Sequence, residues 1–488
     1  MALRKERLKF TLKRFRGFWN EYKRSKRGLL GLIILIFYVI LAVTVPLLTP
    51  LEPYAPKLKG YYPAGTNPPI AARLAKPIWY KYLPGGQNLP ENVFPIKNHD
   101  MPDVAAIEAE WNWEGSNCKI IASPNKGDRG EGCIEINFTG PGNAKVWHQF
   151  NYPYSKRPQR LLIHISMFTS NRSITDIKIS LVNSTSGQET YTRIIPNIEL
   201  ANYNWIAKYI GEDSPRALNN AFPGKGDYLF QITVTSKGES TVRLDNIDLL
   251  IYGEIFGWLG TDGNPGRPRD IFTTLIYGTR ISLTVGLLSA AISTFLGLFL
   301  GLVAGYIGGV VDEFIMRFAD FLLVLPTLPL LIVLIVTTSA SIWNLIIILS
   351  FMGWMGFSRQ VRSMVLSLRE RSFIEAAKAV GASTSHIIFR HIVPNVFALV
   401  YITLATSVPG AIISEASISW LGLFDPTIVS WGRMLYEFTN SGVIVKPITE
   451  YWFWVIPPGI AIMTLAMAFI LIGYALDEIL NPRLRQRY

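Results

Sequence analysis

The chain has 488 residues, of which 49% are hydrophobic and only 17% charged, with a mean hydropathy of +0.26. Soluble domains average about a quarter charged, so the composition argues against a purely cytosolic protein. The net charge of +12 is concentrated in residues 1–28, which carry 11 Lys and Arg against Glu6 and Glu21. A nucleic-acid-binding domain carries its basic patch on a folded surface. Here the excess sits in a short tail beside an apolar run, which is a membrane pattern, and no nucleic-acid partner is expected.

In chain order, the basic tail (1–28) leads into Leu29–Leu48, 20 residues without a charge, close to the ~20 needed to cross a ~30 Å hydrocarbon core. It is longer than a signal-peptide core and no A-x-A-like cleavage site follows. It reads as a retained first transmembrane helix with the tail on the cytoplasmic side. Uncharged runs then recur at Ile281–Val311, Phe321–Ser358, Ile392–Ser414 and Tyr451–Leu476. The second of these is too long for one span and breaks at the small polar stretch Thr337–Ser341. The expectation is six spans, both termini cytoplasmic, and residues 49–280 extracytoplasmic. The basic loop Arg359–Arg390 and the tail Asp477–Tyr488 fall inside, in agreement. The short loop around Asp312, Glu313, Arg317 and Asp320 also falls inside although it is net acidic, and acids count little in that rule.

Residues 49–106 form a Pro-rich extracytoplasmic linker, Pro50–Pro102 holding 11 of the 30 prolines, and read as extended chain wrapping a surface. From 107 to 256 the texture changes to short runs alternating at period two, among them Gly132–Thr139, Leu161–Thr169, Tyr228–Val234 and Thr241–Tyr252. With turn residues between them they predict an antiparallel β-sandwich. Its closing run, Leu244–Leu249, looks like the last strand of jelly-roll carbohydrate-binding modules. Trp111, Trp113, Trp147 and Trp205 are either a sugar-stacking platform or core and rim residues. Cys118 and Cys133, the only cysteines, predict a disulfide in an oxidising exterior, the alternative being two separate buried thiols. Asn137, Asn171 and Asn183 open three N-x-[ST] sequons.

Gly356–Asn395 is a basic segment with strong helix formers from Val365 to Val380. Gly381 then stands where a helix C-cap belongs, and Ser383 or Thr384 can cap a second short helix running to about His391, before Pro394. A helix–turn–helix on the inner membrane face is a docking knob for a cytoplasmic partner. At these residues the chain resembles the EAA loop (359–395) of binding-protein-dependent ABC transporter permeases: Glu375-Ala376-Ala377, Gly381, then Pro394 thirteen residues on. The flanking Arg359-x-x-Arg362, Leu366–Arg371 and His391–Asn395 resemble the C-type permease subunit of the dipeptide/oligopeptide branch. So do Gly260-Thr-Asp262, Tyr277-Gly-x-Arg280-Ile-Ser282, Gly305-Tyr-x-Gly308-Gly309, Glu415-Ala-Ser417, Ser430-Trp431-Gly432 and the closing Asn481-Pro-Arg-Leu484.

The resemblance implies an all-α polytopic membrane protein of six transmembrane helices, an ABC importer type I permease with a five-helix core over 271–480. The inserted all-β extracytoplasmic sandwich departs from the family, as does the stretching of its Gly-Thr-Asp-x-x-Gly-Arg-Asp element over Gly260–Asp270. It further implies a second homologous permease subunit, two cytoplasmic ATPase subunits that bind ATP and Mg, an extracytoplasmic solute-binding protein, and membrane lipid around the spans. Arg371, Glu375, Ala376, Ala377, Gly381 and Pro394 are the residues expected to couple to the ATPase. Glu415 either makes a structural contact between helices or lines the translocation path. The chain itself shows no phosphate-binding G-x-x-x-x-G-K-[ST] motif, no metal-ligand spacing among its five histidines and no catalytic constellation, so no cofactor and no enzyme activity of its own are expected. The cargo is oligopeptide or oligosaccharide, and the β-domain serves either glycan contact or docking of the solute-binding protein.

Overall fold

The computed structural model describes residues 16–53, 68–128, 131–264 and 268–480. The first part of the basic tail, part of the Pro-rich linker, the tip of the stretched Gly260–Asp270 element and the closing Asn481–Leu484 lie outside the described residues. The chain divides into two compact units, one of residues 1–54 with 273–488 and one of 55–272.

The first unit is helical. Helix α1 (Lys26–Leu48) is N-capped by Ser25, whose hydroxyl accepts from Gly28 N–H. It packs along the last helix, where Tyr38 OH meets Thr464 Oγ1 at 2.6 Å. Four helical stretches are long and apolar enough to cross a membrane: α1, Ile271–Ile307, Thr384–Trp420 and Ile448–Leu480. Two bent pairs raise the number to as many as six. The pair α5 (Gly309–Val324) and α6 (Thr327–Thr338), bent by 95°, follows α4 (Ile271–Ile307). It is succeeded by α7 (Ile342–Gly353) and α8 (Met355–Arg369), bent by 40°. The α6–α7 break falls at the expected polar stretch, with Ser339 at φ +87°. The bend at Pro326 has no counterpart in the sequence reading, although a proline that cannot continue the preceding helix accounts for it.

Two expectations are corrected here. The acidic stretch around Asp312 is no loop: it is the start of α5, with Asp312 in its first turn. The segment Val365–Val380 is not one helix either, because extended backbone at Arg371 (ψ 140°) separates α8 from α9 (Ser372–Ala379).

The second unit is all-β apart from short helical turns. Helix α2 (Val104–Glu110) precedes β1 (Asn112–Ser123), β2 (Cys133–Tyr152), β3 (Arg160–Thr169), β4 (Thr175–Asn183), β5 (Glu189–Ile195) and β6 (Trp205–Glu212). Helix α3 (Pro215–Ala221), β7 (Gly226–Ser236) and β8 (Ser240–Tyr252) complete it. All pairings are antiparallel, and the strands form one hydrogen-bonded sheet in the order β5-β4-β7-β2-β8-β3-β6, with β1 also on β2. The long β2 explains why there is one sheet where two were expected. Its first part, Ile134–Phe138, pairs with β8 and its second, Gly142–Tyr152, with β7. Thus β8-β3-β6 and β7-β4-β5 are two wings of one folded sheet. Alternate residues of both wings, among them Ile163, Ile179, Phe230 and Leu249, fill a single apolar core. On β8 the alternation slips at Asp245-Asn246, where Asn246 takes φ +47° in a bulge. Leu244 and Ile247 therefore both point inward, as a β-bulge permits. The other face of the β3–β8 wing is covered by the segment 69–96, Tyr252 OH donating to Pro69 O at 2.8 Å.

The expected Cys118–Cys133 disulfide is absent, and the register says why. Cys118 lies opposite Phe138, whereas Cys133 lies opposite Ser123. The two thiols are therefore offset by five residues along adjacent strands, about 17 Å at the rise of a strand, far beyond bonding reach. Both are free. Burial, with the nearby Asp245 carboxylate, pushes the Cys133 thiol up to about 12, so it is inert. Of the four tryptophans, Trp111 is buried against Phe230 and His148. The other three are partly exposed, and Trp205 packs on Phe168. Asn137 is engaged on both ends of its amide, by Glu135 and Thr241.

Candidate functional site

The candidate site is the knob from α8 to the start of α11 (Val393–Trp420). Helix α8 is amphipathic, with Phe357, Val361 and Val365 buried. It lies directly on α4 at three glycines spaced by four. A Cβ on Gly297, Gly301 or Gly305 would come within 2.6–2.9 Å of Phe357, Val361 and Val365 respectively. Small residues at this spacing let two apolar helices approach backbone to backbone. Electrostatics tie α8 to the next helix as well: Arg362 forks onto Asp312, and Arg359 reaches Asp320, both acids on α5. Arg369 donates to Tyr306 O at 3.1 Å. Two of the three acids that looked out of place in a cytoplasmic loop, Asp312 and Asp320, are thus partners of the basic α8, and Glu313 pairs with Arg317 on its own helix. Their signal in the sequence was that anomaly itself.

After the corner at Arg371, Ile374 anchors α9 in the apolar cluster of Val361, Val365, Ile387 and Ile392. Glu375 and Ala376 face outward, and Ala377 is half-buried against the cluster. The helix ends in a Schellman turn. Ala382 N–H bonds Ala377 O at 3.0 Å and Gly381 N–H bonds Lys378 O at 2.9 Å, with Gly381 at φ +83°. This is the left-handed C′ position that glycine fills without steric cost. Ser383, rather than Thr384, caps α10 (Thr384–Ile387) by accepting from His386 N–H.

The second helix does not stop before Pro394. A π turn at Ile388–Ile392, in which Val393 N–H reaches back to Ile388 O, joins α10 to α11. Pro394 lacks an N–H and its ring crowds the carbonyl four residues back; the widened turn accommodates it. Outward, the knob presents Phe373, Phe389 and a Val380 that is 90% exposed. Glu375 and Arg371 stand beside them, with no side-chain partner among the described residues. Apolar side chains ringed by unpaired charge are what a protein contact needs, and nothing in this arrangement makes or breaks bonds.

Glu415 lies elsewhere, in α11. It is 2% exposed, with Oε1 accepting from Ser419 Oγ at 2.8 Å. It borders a space of about 20 Å³ together with Asp425 and Ser430, room for one water. Ser430 caps α12 (Trp431–Asn440), and the buried Trp431 donates to Leu275 O at 2.8 Å. The last helix, α13 (Ile448–Leu480), packs on α1 and α11.

Residues 297–486 match the family described as binding-protein-dependent transport system inner membrane component, and residues 13–77 match the N-terminal TM domain of oligopeptide transport permease C. The chain is 35% identical over 232 residues to the oligopeptide transport system permease protein OppC of Bacillus subtilis (strain 168), covering 47% of this chain and 72% of that protein. It is 33% identical over 240 residues to a putative peptide permease protein of Brucella suis biovar 1, covering 49% of this chain and 78% of that one. The chain belongs to this permease family. A structure of the MetNI methionine ABC transporter is 18% identical over 42% of the permease and 97% of that chain, with a TM-score of 0.34, which carries no weight beside the sequence match.

The Arg362–Asp312 pair of the permease is testable directly. Arg362→Asp sets two acids against each other, and the detergent-purified protein should melt measurably lower. The double exchange Asp312→Arg/Arg362→Asp should recover most of the loss. Equal melting of all three proteins would remove the pair from the scaffold of the knob.

Proposed function

We propose that this permease is one transmembrane half of an importer that moves oligopeptides across the cell membrane. The carrying observation is the exposed knob of α9 and α10, built on the α4–α8 glycine contact and continuous with α11, in a chain whose relatives are named peptide permeases. ATP hydrolysis in this family resides on separate subunits, so the chain is a transport subunit and not an enzyme. It is a multi-pass cell-membrane protein that works with ATPase and substrate-binding subunits.

In finer terms, two ATPase subunits carrying ATP and Mg dock on the knob, and a second homologous permease completes the path. A solute-binding protein delivers cargo from outside. Each bent pair counts as one span, which makes six and leaves both termini cytoplasmic with the β unit extracytoplasmic. The ion pairs favour this topology: it puts the start of α5 and the end of α8 at the same membrane face, where Asp312 and Asp320 can meet Arg362 and Arg359. The folded sheet then acts as a two-layered sandwich, and Glu415 acts as a polar pin where α11 meets the start of α12.

The reading is tested by reconstituting the permease with its partner subunits in proteoliposomes and offering labelled oligopeptides and maltooligosaccharides. ATP-dependent uptake of the peptides is expected; uptake of the sugars alone would overturn the cargo assignment. Topology is read separately, in a Cys118→Ser background. A membrane-impermeant thiol reagent should label Ser186→Cys, in an exposed turn of the β unit, and spare Ser383→Cys in intact cells. The reverse pattern would invert the orientation.

A further inference from the structure

The two ends of the folded sheet carry a feature the transport reading does not use. Strands β5 and β6 stand at the two ends of its strand order, each hydrogen-bonded to one neighbour only. They are joined by the connection 196–204, and a cleft of about 300 Å³ lies between them. The register decides what faces it. On β5, Tyr191 and Arg193 lie opposite Leu181 and Ile179 of β4. On β6, Lys208 and Glu212 lie opposite Ile165 and Leu161 of β3. Directly opposed residues project to the same face, and those four partners are all core residues. Arg193, Lys208 and Glu212 therefore point to the core side of the sheet, at positions where the neighbouring strands place only apolar groups. Lys208 pairs with Glu199 at 3.1 Å. Arg193 has no ion-pair or hydrogen-bond partner among the described residues.

We propose that this cleft is a capture site for a short extended peptide, which lies between β5 and β6 and hydrogen bonds to their open edges. The site rests on the peptide-import reading for the identity of its ligand. An added strand satisfies the backbone groups of an exposed sheet edge, and here two such edges border one cleft. The side chains complement a peptide's ends: Arg193 offers a fork for a terminal carboxylate, and Glu212 an acceptor for a terminal ammonium. The connection 196–204 closes one end of the cleft, which suits a short ligand with a free terminus over a threaded loop of a partner protein. Charges on edge strands also guard against edge-to-edge association, but that task needs neither a cleft nor a second edge across it.

The test uses the full-length permease in lipid nanodiscs with pentaalanine as the probe, read by hydrogen exchange and calorimetry. Pentaalanine should slow exchange of the amides in 189–195 and 205–212. Its acetylated and amidated form should bind at least tenfold more weakly, and Arg193→Ala should cost at least fivefold in affinity while Arg193→Lys recovers part of it. Absence of protection at millimolar pentaalanine, or equal binding by Arg193→Ala, would overturn the site. So would protection of the same amides by an oligosaccharide in place of the peptide. Peptide uptake by the assembled transporter is measured in parallel. Uptake without protection of the cleft sinks this proposal alone, whereas protection without peptide uptake upholds the cleft and sinks the import reading.

Discussion

Glu375→Lys and Gly381→Asp should each abolish peptide uptake and transport-stimulated ATP hydrolysis while leaving the permease inserted and folded. The two act by different routes. Gly381 sits at φ +83° and closes the Schellman turn. A side chain in the left-handed region costs ~1–2 kcal/mol, and an aspartate there also opposes the partial negative charge of the α9 C-terminus. That is enough to distort an exposed turn and too little to unfold the unit. Glu375 is exposed and its side chain has no partner among the described residues, so its replacement should change melting little. A charge-assisted contact across the interface is worth ~1.5–3 kcal/mol, and reversal turns that attraction into repulsion against the same group. The measurement is uptake and ATPase rate in reconstituted complexes, beside the melting temperature of each variant. Wild-type transport by Glu375→Lys would remove the coupling role from this face of the knob.

The second large effect concerns stability against pH in the β unit. Asp245 is 1% exposed and accepts N–H groups of Asp128 and Asn246. Burial outweighs those bonds and pushes its carboxyl up to about 7. The native state therefore holds a proton that the unfolded chain releases near pH 4, and Asp245 lowers stability as pH rises from about 4 to 7. His164, fully buried on the facing strand, is pushed the other way by burial, down to about 4. Below its ordinary value of 6.5 the unfolded chain gains a proton that the native state refuses, so His164 lowers stability as pH falls from 6.5 to 4. The two slopes oppose each other, and the native protein should be nearly flat across that window. Asp245→Asn should expose the histidine slope, with stability rising with pH by on the order of 3 kcal/mol. His164→Gln should expose the opposite slope. Below pH 4 a third group enters: Glu135, held down to about 2 by Asn137, Lys126 and Arg243 in spite of its burial, makes all three proteins lose stability. Amide exchange of β2 and β8 in the full-length chain, followed from pH 4 to 7.5, measures these slopes. Parallel profiles for the three proteins would refute the opposed pair.

Much of this was legible because apolar runs and period-two alternation are local signals. The spans, the strands and the turn at Gly381 all follow from residues within one window. What stayed hidden depends on register or on distant partners. Cys118 and Cys133 are 15 residues apart in a hairpin, a spacing that permits a bridge, and only the pairing of Ser123 with Cys133 forbids it. Asp312 pairs with Arg362 fifty residues away, so it read as an exception to a loop rule. The bend at Pro326 and the π turn before Pro394 are two prolines resolved in two ways, one by breaking a helix and one by widening it, with Ile392 and Val396 buried on either side of the second. The polar wall of the β5–β6 cleft was invisible for the same reason as the disulfide: which residues face inward is set by the neighbouring strand.

The π turn makes α10, the outer helix of the knob, and α11 a single helical stretch of 37 residues, Thr384 to Trp420, about 55 Å long at the rise of an α-helix. A rod of that length is a lever. A tilt of about 5° imposed at the knob would swing the opposite end by about 5 Å, at the turn where Glu415 and Ser419 sit. Displacement on that scale is wider than a water molecule, so the slight rocking of an ATPase docked beneath Thr384, as proposed above, would be magnified at the Glu415 end of the helix.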